Sequence, residues 1–290
     1  MLRTGFGAKT AKSLSSTGGG KQSVSDRGKG ADSVIRAIAG SDIGTWLDAD
    51  DIDVADGAAI SAWSAKEGNG TDTQGTAGYR PTLDVDGLNS RPAVKFDNSD
   101  DFLGWAQTNL FASAMAANTV ASVSTSANES AFVLELGDTN YHQKDGLVHG
   151  YLTDGETANR FFSGMGEAAG SKDSWVLSTK QGVPNLNNSL VSVYDRSTAP
   201  EDTLISYVSG EPTTNAVVQL SNTTTNAGWN DQYATLGARD GKTPPVSVPF
   251  NGHIRELIVL SRAITAGEAF RLGKALMSKS GLTKLLGSYS

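Results

Sequence analysis

From residue 44 onward, short runs of alternating apolar and polar residues are cut at close intervals by Gly, Asn, Asp and Pro. Side chains on a strand alternate between two faces, so such runs fit half-buried β-strands and fit helices poorly. The clearest is His253-Ile254-Arg255-Glu256-Leu257-Ile258-Val259-Leu260. Residues 119–124, 131–136, 146–151, 174–178, 190–194, 203–208 and 233–237 read as further strands. Arg80-Pro81-Thr82-Leu83 and Arg91-Pro92-Ala93-Val94-Lys95-Phe96 each read as a short strand opened by proline. About a dozen such segments, with a turn every 8–15 residues or so, describe two packed antiparallel sheets in an all-β fold. Trp46, Trp63, Phe96 and Phe102 are the expected core bulk.

One helix is expected to close the chain. Thr265-Ala266-Gly267-Glu268 is a capping box, in which the threonine accepts from the glutamate's amide and the glutamate reaches back. Phe270, Leu272, Leu276 and Met277 supply its apolar positions, with Phe270 and Leu276 expected to be buried, and Gly281 stands where the helix stops. The opposite end differs in composition. Residues 1–41 hold seven Lys or Arg against two Asp, a surplus of +5, which leaves −12 of the net −7 on the remainder. The run Ser13-Leu14-Ser15-Ser16-Thr17-Gly18-Gly19-Gly20 buries too little apolar surface to offset its ordering entropy. The division expected is an extended basic arm over 1–43, with a short helix at 31–39, and one sandwich domain over 44–290.

Composition removes several classes of function. With no cysteine there are no disulfides, thiolate metal sites or cysteine nucleophiles. A net acidic chain lacks the basic footprint of a nucleic-acid binder. No apolar run approaches the roughly 18 residues of a membrane helix, so no membrane insertion is expected. The opening residues lack the apolar core of a signal peptide, so synthesis in a cytoplasm without standard export is expected.

The stretch from Trp46 to Leu103 carries a family likeness. It runs Trp46-Leu47-Asp48, Ile60-Ser61-Ala62-Trp63, Gly68-Asn69-Gly70, Arg80-Pro81-Thr82-Leu83, Arg91-Pro92-Ala93-Val94-Lys95-Phe96-Asp97 and Asp100-Asp101-Phe102-Leu103. The closing Phe250-Asn251-Gly252-His253 through Val259, then Ser261-Arg262-Ala263-Ile264-Thr265, completes it. This order resembles the concanavalin A-like, laminin G-like jelly-roll domains of tailed-bacteriophage virion proteins and bacterial surface proteins. The resemblance implies a two-sheet antiparallel jelly-roll sandwich with a short C-terminal helix. It implies less about function, because this sandwich hosts lectins, glycanases and structural modules.

Paired carboxylates of a glycanase need to share one strand face. Glu135 and Asp138 are three apart and fall on opposite faces, while Glu129 and Glu135 sit about 20 Å apart along a strand. No Gly-x-Ser-x-Gly elbow accompanies the three histidines, His142, His149 and His253. No enzyme is therefore expected. Gly18-Gly19-Gly20-Lys21 lacks the frame of a phosphate loop. Calcium is the ion that fits, held by Asp48 and Asp50, which face one way in an alternating segment; Asp97, Asn98, Asp100 and Asp101 form a second acidic run. Both runs also have the composition of plain turns. Sugar binding needs an exposed aromatic flanked by hydrogen-bonding side chains, and Trp229, Asn230, Asp231 and Tyr233 have that composition.

With the resemblance, these readings lead to a non-enzymatic virion structural protein displayed on the head, tail or fibre of a tailed phage. Its partners would be other virion structural proteins and further copies of itself, reached through Leu2, Arg3, Phe6, Lys9, Lys12 and Leu14 of the arm. The alternative is a carbohydrate-binding adhesin module for host-surface glycans.

Overall fold

The computed structural model describes residues 24–106, 117–127, 130–136, 147–152, 160–166, 173–181, 188–195, 204–209, 211–212, 215–219, 233–239 and 248–282. In chain order the elements begin with α1 (Val24–Ala39), β1 (Ile43–Asp48), β2 (Ala62–Ser64), β3 (Glu67–Gly68), β4 (Thr71–Thr73), β5 (Thr82–Asp84), β6 (Ala93–Asp97) and β7 (Leu103–Ala106). The middle of the chain supplies β8 (Ala117–Ser126), β9 (Ala131–Leu136), β10 (Leu147–Leu152), β11 (Arg160–Gly166), β12 (Asp173–Gln181), β13 (Asn188–Asp195), β14 (Leu204–Val208), β15 (Glu211–Pro212) and β16 (Asn215–Gln219). The chain closes with β17 (Tyr233–Leu236), β18 (Asn251–Leu260) and α2 (Ala266–Lys279).

The strands form two antiparallel sheets. The first runs β15-β14-β13-β8-β18-β1-β3, with β6 also on β18 and β5 on β6. The second runs β16-β12-β11-β10-β9-β17-β7-β4-β2. Their facing sides enclose a core of Leu47, Trp63, Phe96, Val120, Leu134, Leu236 and Leu257, among others. The all-β jelly-roll-like sandwich with a C-terminal helix is thus the architecture of this chain.

A polar seam crosses that interior. His149 on β10 meets Ser122 Oγ of β8 through Nε2 and Ser192 Oγ of β13 through Nδ1, each at 2.8 Å. Ser192 continues to Ser163 at 2.6 Å, and Ser163 to Ser206 at 3.1 Å. Burial presses the His149 imidazole down to about 3, so it is neutral, donating through one nitrogen and accepting at the other. His149 is a fully buried bridge between the sheets. No substrate reaches these side chains, so the serine–histidine contacts are structural.

The outer side of the first sheet is covered by both helices. Alternation along β1 sends Leu47 into the inter-sheet core and Trp46 outward, under the helix layer. Leu272, Leu276 and Met277 of α2 join Trp46, Ala121, Val191 and Ile258 there. The capping box forms as the sequence implies: Glu268 N–H donates to Thr265 Oγ1 at 3.3 Å, and Thr265 N–H donates to Glu268 at 2.8 Å. Gly281 ends the helix at φ +72°, where a Cβ would be strained. Leu276 is buried, but Phe270 is 42% exposed, so the expectation of a buried Phe270 fails.

The boundary at residue 43 also needs correction. The helix expected at 31–39 starts earlier, at Val24, and its Ala31, Ile35, Ile38 and Ala39 are buried with Trp46, Leu260 and Leu276. Their spacing of four, three and one is one helical stripe, and each buried isoleucine stabilises the packing by about 1.5–3 kcal/mol. Residues 24–39 are therefore a helix packed on the sandwich and not part of an extended arm. The arm residues Leu2, Arg3, Phe6, Lys9, Lys12 and Leu14 lie outside the described residues.

Candidate carbohydrate-binding face

The outer side of the second sheet carries a different set of side chains. On β17, Ala234 and Leu236 enter the core, so Tyr233 and Thr235 face outward. Thr235 stands opposite Glu135 of β9 on one side and Gly104 of β7 on the other. A Cβ built on Gly104 would lie 2.2 Å from the Tyr233 hydroxyl. The tyrosine therefore crosses its neighbouring strand in the space glycine leaves, half-buried rather than sunk. Burial raises its hydroxyl pKa, and the charge of nearby Asp72 raises it further.

Beyond Thr235 lies a charged and aromatic group. Arg239 Nε stands 3.7 Å from Glu135, and its guanidinium lies 5.8 Å from the centre of the Phe132 ring. Phe132 stacks on Phe162 at 6.0 Å and 22°. Val148, Leu152 and Val248 complete this third apolar cluster, which is separate from the main core. Glu135 is buried against a guanidinium, an arrangement suited to holding the face rather than protonating a glycosidic oxygen. Glu129 and Asp138 lie outside the described residues. No sequence pattern marks the Arg239–Glu135 contact beyond a glutamate inside the apolar run of β9.

Of the residues expected to bind sugar, the structure places Tyr233 on this face. Trp229, Asn230 and Asp231 lie outside the described residues. Asp72 belongs to the interior: it pairs with the buried Trp63, and Thr71 and Thr73 on either side are exposed. Among the described residues neither of its oxygens has a hydrogen-bond partner, and burial raises its pKa well above its ordinary value.

Asp48 and Asp50 do not form the expected calcium pair. Asp48 Oδ2 receives Lys66 at 2.7 Å and Lys279 at 2.5 Å, while Asp50 Oδ2 receives Arg255 at 2.6 Å. Protein cations take the place of a metal, and Asp50 has left the strand for a one-turn helix at Ala49–Asp51. Asp48 also belongs to a carboxylate group with Asp32 and Glu256, and the ammonium of Lys279 reaches all three. In the second acidic run, the carboxylates of Asp97, Asp100 and Asp101 come within 4.8 Å of one another. Burial and the charge of Asp97 push the Asp101 carboxyl up to about 7. These three are the described residues best placed to hold a cation.

No protein-family model matches this sequence, and no curated protein matches it. Solved structures do. The binding domain of botulinum neurotoxin serotype D/C aligns with TM-score 0.50 at 12% identity, over 81% of this chain and 52% of that one. This chain thus spans about half of the toxin structure, and the likeness is one of fold. Domain 4 of an extracellular GH43 arabinanase from Geobacillus stearothermophilus, in complex with arabinotriose, aligns at TM-score 0.48 and 13% identity over 80% and 98%. The CBM40 of a Ruminococcus gnavus sialidase, bound to sialyllactose, aligns at 0.41 and 14% over 56% and 84%.

Proposed function

We propose that this chain is a non-catalytic carbohydrate-binding sandwich, with its sugar site on the outer face of the second sheet around Tyr233. The observation that carries this reading is the half-exposed Tyr233 on the second sheet's outer face, beside the exposed Thr73, whereas Thr235, Glu135, Phe132 and Phe162 of that face are buried. An aromatic ring with polar neighbours is what a pyranose face requires. The residues leading into Tyr233 are Trp229, Asn230, Asp231 and Gln232, which extend the same chemistry along the chain. The absence of catalysis is supported by Glu135, whose carboxylate faces Arg239. A glycan array probed with the full chain should return at least one oligosaccharide class. Tyr233→Ala should weaken the strongest hit about tenfold by calorimetry, or about 1.4 kcal/mol, within the range of aromatic contacts. An empty array, or a hit indifferent to Tyr233→Ala, would defeat the reading.

Display on a tailed-phage particle, with the 1–43 segment as the attachment to other virion proteins, rests on the sequence resemblance and the +5 charge of residues 1–41. It is compatible with glycan binding, since an adhesin needs both an anchor and a ligand face.

A further inference from the structure

We propose that α1 is a detachable strap, helical only while seated, over a groove between the first sheet and α2 that stays intact when the strap leaves. Three observations lead there.

The first is intrinsic. The helix reads Val24-Ser25-Asp26-Arg27-Gly28-Lys29-Gly30-Ala31-Asp32-Ser33-Val34-Ile35-Arg36-Ala37-Ile38-Ala39. Two glycines, two serines, two aspartates and four β-branched residues are poor helix formers. Sixteen such residues do not hold a helix alone in water. The second is the kind of contact that seats it. Ala31, Ile35, Ile38 and Ala39 give the apolar stripe. Asp32 reaches Lys279 at 3.0 Å and Lys66 at 3.1 Å, Arg36 pairs with Glu67, and Arg262 donates to the Ile38 carbonyl.

The third is charge balance in the seat. Without α1, the ammoniums of Lys66 and Lys279 still face the ionised Asp48 between them, with Asp51 3.7 Å from Lys66 and Glu256 2.8 Å from Lys279. Asp32 is thus a further carboxylate on cations that keep partners without it. Its departure leaves no buried charge alone, which is the step that makes breaking a buried ion pair costly. The apolar seat is likewise built from other elements: Trp46 from β1, Ile258 and Leu260 from β18, and Leu272 and Leu276 from α2. Opening therefore uncovers an organised groove. Because α1 follows directly on residues 1–23, whatever binds that segment more tightly in one state biases the strap by its difference in affinity.

Hydrogen exchange on the full chain tests this. The amides of α1 should exchange through a local opening at least tenfold faster than those of β8, β18 and α2, which await wider unfolding. Asp32→Asn should speed α1 a further several-fold and leave those three elements unchanged, and Ile35→Ala should show the same selectivity more strongly. Protection of α1 equal to that of β18 would overturn the proposal. So would an Asp32→Asn change that leaves α1 unaltered, or that speeds all four elements alike.

Discussion

α1 and α2 lie side by side on one sheet and share one apolar cluster, yet they are helices for opposite reasons. α2 carries its own instructions: a complete capping box, Leu272, Leu276 and Met277 on one face, Lys279 in its last turn and Gly281 beyond it. α1 shares the stop signals, with Arg36 in its last turn and Gly40 at φ +57° just beyond, but Gly28 and Gly30 weaken its interior and it depends on its seat. Their ionic contacts differ in the same sense. Asp32 of α1 joins a set already paired without it, whereas Lys279 of α2 is the cation on which Asp48 and Glu256 both depend. Trp46 lies beneath both, its indole N–H on Glu256 at 2.7 Å and the ammonium of Lys279 4.9 Å from its ring.

The largest test of this difference is Lys279→Met. The substitution keeps the packing volume and removes the charge, leaving two buried carboxylates with Lys66 on one of them. Breaking such a buried set costs about 3–5 kcal/mol. Asp32→Asn should cost at most about 1 kcal/mol, since both ammoniums keep their partners. Denaturant unfolding of both variants measures the contrast, and equal losses would erase the distinction between welded and clipped helices.

A second test uses pH on the same network. Burial and the charge of Asp48 push the Glu256 carboxyl up to about 7, despite Lys279 beside it. Burial would also raise Asp48, but Lys279 and Lys66 overcome it and hold that carboxyl at about 2. A carboxyl with a raised folded pKa stabilises the fold fully below its unfolded value and loses that stabilisation as pH rises through the folded one. Glu256 should therefore weaken the wild-type protein between about pH 4.5 and pH 7, by an amount on the order of 2–3 kcal/mol. Asp48 acts in the other direction and lower down, its contribution fading only as pH falls from 3.8 towards 2. Asp101 follows the same trend as Glu256, so the comparison has to be differential. Glu256→Gln cannot ionise, and its melting temperature should fall less than the wild type's from pH 5 to pH 7.5. Parallel curves would mean that Glu256 is ionised throughout.

The two helices also mark where sequence is legible. Residues 131–136 were readable as a strand to both ends, and β18 and the α2 capping box were equally plain, because alternation and capping are local patterns. The start of α1 was not, because Gly28 and Gly30 argue against a helix that only docking forms. Nothing in the run Asp48-Ala49-Asp50 shows the lysines that answer it, one 18 residues away and the other 231. On the candidate face, Tyr233 was readable as an aromatic at the start of a strand, whereas Arg239 and Glu135 meet only through the register of β9 and β17. The strands Arg160–Gly166 and Asn215–Gln219 carry no clear alternation of their own, and the first contains two glycines.

The smallest expected effect comes from a residue that composition alone would rank among the largest. Phe270 is the first bulky apolar residue of α2, and counting apolar residues alone puts it in the core with Leu276, although six residues place the two about 240° apart round the helix. The helix is instead turned so that Ala269, Leu272, Gly273 and Leu276 meet the sheet and α1, while Phe270 points to solvent. What holds it is Lys274, one turn on, whose ammonium lies 5.1 Å from the ring centre. A cation–π contact at an exposed site is worth about 0.5–1 kcal/mol, and alanine recovers part of that through its better helix propensity. Phe270→Ala should therefore shift stability by less than about 1 kcal/mol, where a packed phenylalanine would cost about 3–5. Leu276→Ala, one and a half turns further along and fully buried, should cost about 2–5 kcal/mol by the same measurement. If the two losses proved similar, the exposed face of α2 would have to be covered in solution, and α2 would no longer be the helix that seals only one side.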